Sequence, residues 1–557
     1  MTTVAAGELI APALAKAGVR CVFALNGAHI QAILEGCLDH GIRLIDVRHE
    51  AAAGHAAEGY AKATRGLGVA LVTAGPGFTN VLTSLANAYI DRTPVLYIAG
   101  GPPVAAADRN VLQSGFDQVA LARPIAKWAQ RATVPAEVPR IIAQAIRVAT
   151  TAPTGPAFLE IPWDIMLGQV DGGEATLPEP TKSGAECAAA PEKIDAVLAL
   201  LREAAAPAVI AGVDVYRSEA WTELRTFVES NQLPVFTEYE ALGTLPSEHP
   251  LWMGTNFQLA RLKPAQRPDV VLALGTRFGW NTPRFETFPG RIIHVDTDPL
   301  EIGKLNTPTI GIVASSRQTL RLLNERSPKT PAPERAAWLG RVRDAVNGIR
   351  AEATAAKANS TESRPHPFLA AEVVSQAAAH AVLVADGAFT KHWLEDAVRR
   401  SRPGCYFSHG SFGAMGIGFG TAIGVKAARP DEPVLCVTGD GAAGFTLAEF
   451  DTMVRHDLPI VVVVMNNHGW GAVDPAQHPE GTGRPAGIRL GQARYEEVAK
   501  AFGGRGCHVT TSEGLKAAIA EAFAAAGPTC INFEVGMGGF PPAFKAATLG
   551  LPLPFLE

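Results

Sequence analysis

Paired cysteines, long apolar runs and an excess of positive charge are all missing from this chain of 557 residues. The seven cysteines, Cys21, Cys37, Cys187, Cys405, Cys436, Cys507 and Cys530, are scattered with no CxxC pair, which argues against a disulfide framework or a zinc site and for free thiols in a reducing compartment. No segment offers 18 uninterrupted apolar residues, and Met1 to Ala13 lacks a basic stretch followed by an apolar core. A membrane span and a secretory leader are therefore not expected, and the cytoplasm is the expected location. With a formal charge of -5 and no arginine-lysine stripe interleaved with aromatics, the chain has no field for nucleic acid.

What is present is a soluble globular composition, 47% hydrophobic and 18% charged, in a chain too long for one ordinary core. Short apolar runs alternate with alanine-rich helical segments: Cys21 to Ala24, Arg43 to Asp46, Gly68 to Thr73, Pro94 to Ala99 and Ala157 to Ile161. A second series follows at Ala208 to Ile210, Val235 to Thr237, Val270 to Leu274 and Arg291 to Val295. That rhythm predicts an α/β protein with three doubly wound α/β domains and mainly parallel sheets, over residues 1–166, 190–340 and 366–550. Leu167 to Ala190 reads as a linker, and Glu352 to Pro367 as a helix end fading into a second one.

The chemistry is concentrated in the third unit. Gly439, Asp440 and Gly441 follow the apolar run Val434 to Thr438, and 27 residues after Asp440 a second run, Ile460 to Met465, delivers Asn467. An aspartate and an asparagine at the carboxyl ends of two strands are oxygen ligands suited to magnesium against a diphosphate. The glycines let the backbone approach the anion, and the amide oxygen adds no further negative charge.

This arrangement resembles the diphosphate motif of the thiamine diphosphate enzymes, the acetolactate synthase and pyruvate decarboxylase superfamily. The resemblance extends over nearly the whole chain through Asn26-Gly27-Ala28-His29, the segment Arg48 to His55, Gly75-Pro76-Gly77-Phe78-Thr79-Asn80, Asp386-Gly387-Ala388-Phe389-Thr390 and Gly413-Ala414-Met415-Gly416. It implies an N-terminal pyrimidine-binding domain, a middle domain and a C-terminal diphosphate-binding domain, with thiamine diphosphate and Mg2+ as cofactors. Asp440, Asn467 and the carbonyl of Gly469 would hold the metal. Gly387, Thr390, Gly413, Met415, Gly439 and Gly441 would cradle the cofactor, and Glu50 would hydrogen-bond its aminopyrimidine to favour the tautomer that acts as a base. Because the family places the cofactor between the first domain of one subunit and the third of another, the active unit would be a homo-oligomer, at least a dimer and here a tetramer.

Within the superfamily the pattern is most similar to the benzaldehyde lyase branch. That implies His29 and Gln113 as catalytic residues beside Glu50, with Ala28, Trp163, Lys391 and Ala472 lining the substrate pocket. The implied reaction is cleavage of a 2-hydroxy ketone of the benzoin or acyloin type to aldehydes, and the reverse carboligation. Decarboxylation of a 2-oxo acid, acetolactate synthesis and 2-hydroxyacyl-CoA cleavage are the alternatives, the last opposed by the absence of basic residues in Leu551 to Glu557. Lys391 stands where that branch has a tyrosine, and Asp474-Pro475-Ala476 replaces larger apolar residues, so pocket shape and entrance charge differ. The Asp296-Thr297-Asp298-Pro299 turn, used by some superfamily members for an adenine nucleotide, has no GxGxxG run beside it and reads as structural.

Overall fold

Three parallel six-stranded sheets organise the computed structural model, which describes residues 3–541 apart from 107–108, 172–186, 279–289, 328–334, 359–363, 474–486 and 540. The Asp474-Pro475-Ala476 substitution and the terminal stretch 551–557 lie outside the described residues. The first sheet comprises β1 (Cys21–Ala24), β2 (Arg43–Asp46), β3 (Gly68–Val72), β4 (Val95–Gly101), β5 (Trp128–Arg131) and β6 (Ala157–Pro162). Its spatial order is β2-β1-β3-β4-β6-β5. Strands β1, β3, β4 and β6 are buried along their whole length, as expected of parallel strands covered by helices on both faces.

The middle sheet runs β7 (Pro207–Ala211), β8 (Val235–Thr237), β9 (Trp252–Thr255), β10 (Val270–Leu274), β11 (Arg291–Asp296) and β12 (Ile310–Val313), in the order β9-β8-β7-β10-β11-β12. The last sheet holds β13 (Val382–Ala385), β14 (Tyr406–Ser408), β15 (Val434–Gly439), β16 (Ile460–Asn466), β17 (Arg505–Val509) and β18 (Thr529–Glu534), ordered β14-β13-β15-β16-β18-β17. First and last sheets thus share one strand order, second-first-third-fourth-sixth-fifth. In both, the order reverses between the first and third strands, which opens a crevice at their carboxyl ends where ligands bind.

The linker expected from Leu167 to Ala190 is corrected at its start. Leu167 ends a helix (Trp163–Leu167), and Gln169–Asp171 is a strand paired antiparallel with Thr3–Ala5. The pairing ties the end of the first domain back to its beginning.

Two helices from different domains cross at van der Waals distance. α1 (Glu50–Thr64) packs on α4 (Gly418–Ala428), with α2 (Pro76–Asp91) beside α1 and α3 (Phe389–Ala397) in the last domain. A Cβ at Gly424 would collide with the carbonyl oxygen of Ala56, and one at Gly59 with the backbone of Thr421. Small residues therefore set the distance between the helix bearing Glu50 and the third domain. The Lys62 ammonium lies at the junction of all three domains, 2.8 Å from Asp91, 3.1 Å from Glu58, 2.8 Å from Glu240 and 3.1 Å from the carbonyl of Ser408.

Candidate active site

In the first domain the crevice at β1 and β3 gathers polar and titratable side chains. His29 sits in a short 3-10 turn (Ala28–Ile30) after β1; its Nδ1 is 3.1 Å from Thr73 Oγ1, just past β3. Trp163, just past β6, packs edge-on against the imidazole at 4.7 Å. Burial lowers the His29 pKa, which keeps the ring neutral at neutral pH. Gly100 makes room for it, because a Cβ there would strike the His29 side chain.

Glu50 opens α1 and is buried, with Oε2 accepting from Asn80 Nδ2 at 2.9 Å. A Cβ at Gly77 would stand 3.4 Å from Oε1, so the glycine leaves the approach to this oxygen clear. Gln113 has φ +61, a left-handed conformation that costs a non-glycine residue on the order of 1 kcal/mol. Its Cβ lies over Gly75, and its Oε1 is buried without a hydrogen-bond partner among the described residues. A strained backbone that presents an orphaned acceptor is the arrangement expected of a group awaiting a ligand. Gln118 braces this wall by accepting from the Gly75 amide and donating to the Gly100 carbonyl, both at 2.9 Å. Ala28 is exposed at the mouth.

In the third domain the equivalent crevice is built from backbone. Asp440 follows β15 and Asn467 follows β16; Asp440 Oδ2 and Asn467 Oδ1 both accept from the Gly469 amide, at 3.0 and 3.1 Å. Two oxygens that converge on one amide can converge on one cation. The Gly469 carbonyl accepts from Gly471 at 3.1 Å and keeps a second lone pair. Burial raises Asp440 to about 6, offset in part by the amides of Gly441 and Gly469. A bound divalent cation would hold it ionised.

Gly387 has φ +89 and borders the Gly439 amide, and Thr390 Oγ1 also borders Gly439. A Cβ at Gly441 would run into the ring of Trp470. These glycines leave a bare-backbone cradle that fits a diphosphate. Asp386, fully buried, fixes it by accepting from the amides of Gly387 (2.6 Å), Gly416 (3.1 Å) and Gly418 (3.0 Å). Gly413 and Met415 are exposed at the rim, and Ala472 is half-buried.

Lys391, expected to line the pocket, follows Thr390 into α3. Its side chain is buried within α3, where the ammonium donates to the His409 carbonyl at 3.0 Å and lies 3.6 Å from Glu395. The Asp296 turn carries an interdomain ion pair: Arg92 lies 3.2 Å from Asp296, 2.5 Å from Asp298 and 2.9 Å from Glu301. It borders a cleft of about 330 Å³ between the first and middle domains. Thr73, Asn80, Asp386 and Gln118 were not singled out as site residues from the sequence. Asn80 and Asp386 lie inside quoted motifs, while nothing local marks the other two.

Family models match all three domains. The model of the thiamine pyrophosphate enzyme N-terminal TPP binding domain matches residues 4–121, that of the central domain 194–323, and that of the C-terminal TPP binding domain 386–533. The chain is 32% identical over 542 residues, 95% of each protein, to a probable acetolactate synthase of Mycobacterium bovis. It is 30% identical to the oxalyl-CoA decarboxylase of Escherichia coli K12, over 95% of this chain and 94% of that one. To a 2-hydroxyacyl-CoA lyase of Oryza sativa subsp. japonica it is 29% identical, over 93% of each. None of these three is a benzaldehyde lyase, so they lend that branch no specific support. No helix among the described residues is long and apolar enough to cross a membrane.

Proposed function

Because the chain belongs to the thiamine pyrophosphate enzyme family, we propose that it is a carbon–carbon lyase and ligase acting on 2-hydroxy ketones and the aldehydes they release. The observation that supports this reading is the wall formed by His29, Thr73, Trp163 and the orphaned Gln113 oxygen on the sheet edge that also carries Glu50. Bound thiamine diphosphate would supply the carbon nucleophile and the electron sink for the bond that breaks.

The remaining work falls to side chains of this protein. Asp440, Asn467 and the Gly469 carbonyl would hold Mg2+, and Gly387, Thr390, Gly439 and Gly441 would surround the diphosphate, with Gly413 and Met415 at the rim of the cofactor. Glu50, steadied by Asn80, would hold a proton at the aminopyrimidine. In the tautomer whose Nδ1–H donates to Thr73, His29 would present an unprotonated Nε2 able to take the proton of the substrate hydroxyl. Gln113 Oε1 would accept from that hydroxyl or from a water, and Trp163 would close the apolar side. The two halves would meet between subunits of a homodimer, paired again into a tetramer. Exposed apolar side chains beside both crevices, Leu112 at 82% and Phe445 at 61%, suit such an interface.

A second reading, condensation or decarboxylation of 2-oxo acids or cleavage of a 2-hydroxyacyl thioester, is favoured by the names of the relatives. Product analysis of the protein loaded with magnesium and cofactor separates the two. Aldehyde from benzoin, or an acyloin from small aldehydes such as formaldehyde, supports the first. Turnover restricted to pyruvate or a 2-hydroxyacyl-CoA moves the function to the second.

A further inference from the structure

α5 (Glu449–Arg455) follows the magnesium loop by a short turn, and its first residue reaches out of its own domain. Glu449 is 1% exposed; its carboxylate accepts from the Arg48 amide at 3.1 Å and 3.3 Å, and from Thr452 Oγ1 at 2.6 Å. Arg48 and His49 are the two residues that lead into α1, and His49 caps that helix by accepting from the Ala51 amide. A carboxylate there lies at the positive end of a 15-residue helix whose first residue is Glu50. The same stretch is gripped further out: Arg455 lies 2.7 Å from Asp46, His456 Nε2 lies 2.7 Å from Asp46 Oδ1, and Arg43 donates to the His456 carbonyl at 2.9 Å.

We propose that Glu449 is a positioning residue: supplied by the domain that holds the metal, it fixes the first turn of α1 and thereby aims the Glu50 carboxylate at the cofactor. This rests on the assignment of Glu50 to the aminopyrimidine. The charged groups that face Glu449 are Arg48 on the loop, His49 and Glu50 at the start of α1, and Asp451 and Arg455 on its own helix, with Asp46 and His456 beyond. Burial pushes the Glu449 carboxyl up to about 7, against the pull of Arg48 and the bonded amides. The ionised form holds the amides of the turn with two acceptor oxygens, whereas protonation removes the charge and turns one oxygen into a donor. The aim of Glu50 therefore loosens as pH falls through neutrality.

The test uses Glu449→Gln, which keeps the shape and removes the titration, and Thr452→Val, which removes one hydrogen bond to the ionised form. In cofactor-free full-length protein, amide hydrogen exchange at Arg48 to Glu50 should slow as pH rises through about 7 in the wild type, after correction for intrinsic exchange. It should lose that step in Glu449→Gln, and the step should move to higher pH in Thr452→Val. In protein loaded with magnesium and thiamine diphosphate, proton exchange at the thiazolium carbon should slow about 10-fold in Glu449→Gln and lose its pH limb near 7. A wild-type exchange rate and pH profile in Glu449→Gln would overturn the proposal. So would a wild-type turn with no pH step, a result readable even if that variant does not fold. Glu50→Gln is the control: if it leaves thiazolium exchange unchanged, the assignment of Glu50 falls, whereas slowing by Glu50→Gln but not by Glu449→Gln removes only the positioning role.

Discussion

The first and third domains share one strand order and place their crevices at the same reversal, yet they fill them with opposite materials. The first lines its crevice with polar side chains, Glu50, His29 and Gln113, the last with an acceptor oxygen that has no partner among the described residues. The third strips its crevice to glycine backbone around one carboxylate, Asp440, and one amide, Asn467. Strand order settles where a ligand can lie, and the four or five residues after each strand settle what it meets. A cofactor with a diphosphate at one end and a titrating ring at the other needs both kinds of wall.

The comparison breaks most visibly if the two halves are not separable in kinetics. Glu50→Gln should slow thiazolium proton exchange by about 10²- to 10⁴-fold while thiamine diphosphate still binds, as titration calorimetry would show. Asp440→Ala should do the reverse, weakening magnesium and cofactor binding by at least about 10-fold. Equal losses of binding in both variants would erase the distinction. His29→Ala sharpens it within the first domain. Cleavage of a 2-hydroxy ketone should fall by about 10²-fold, with thiazolium exchange left at the wild-type rate.

Two smaller effects concern the join between the halves. Gly424→Ala places a methyl against the Ala56 carbonyl at the crossing of α1 and α4, and should cost about 1–3 kcal/mol in denaturant unfolding. Stability should also depend on pH through Glu449. Its folded pKa of about 7 lies above the ordinary 4.5, so the native state keeps a proton that the unfolded chain releases between those values. Its contribution is full below pH 4.5 and lost as pH rises through 7. On the order of 3 kcal/mol is at stake, and Glu449→Gln should flatten that part of the pH–stability curve of the cofactor-free protein.

Much of this was legible because the informative residues sit next to their own strands. The runs Arg43 to Asp46, Val235 to Thr237 and Val270 to Leu274 have the same limits in the sequence and in the fold. Strand β5 was not legible: Trp128 to Arg131 lies at a sheet edge, is half-buried throughout and carries Gln130 and Arg131, so no apolar run marks it. Strands β9 and β12 are edges as well, each interrupted by a glycine. The linker reading of Leu167 to Ala190 misses Gln169–Asp171 because a three-residue strand leaves no periodicity to detect. In the site, the Asp440 and Asn467 motif is local. The partners that hold His29, Glu50 and the turn before Glu50 are distant: Thr73 stands 44 residues from His29, Asn80 stands 30 from Glu50, and Glu449 stands 401 from Arg48. Lys391, at the position where the related branch has a tyrosine, follows Thr390 into a helix and is buried there.

The most direct test mixes Glu50→Gln and Asp440→Ala, after dissociating and reassociating the subunits, at a cofactor concentration that saturates the wild type and leaves Asp440→Ala unloaded, so that neither variant is active alone. If Glu50 of one chain and Asp440 of another build each active site, a mixed dimer contains one intact pair, and random mixing should restore about a quarter of the wild-type activity. If the mixture forms mixed dimers and stays inactive, Glu50 and Asp440 of different chains do not complete one site, and the account of two complementary crevices meeting between subunits is contradicted.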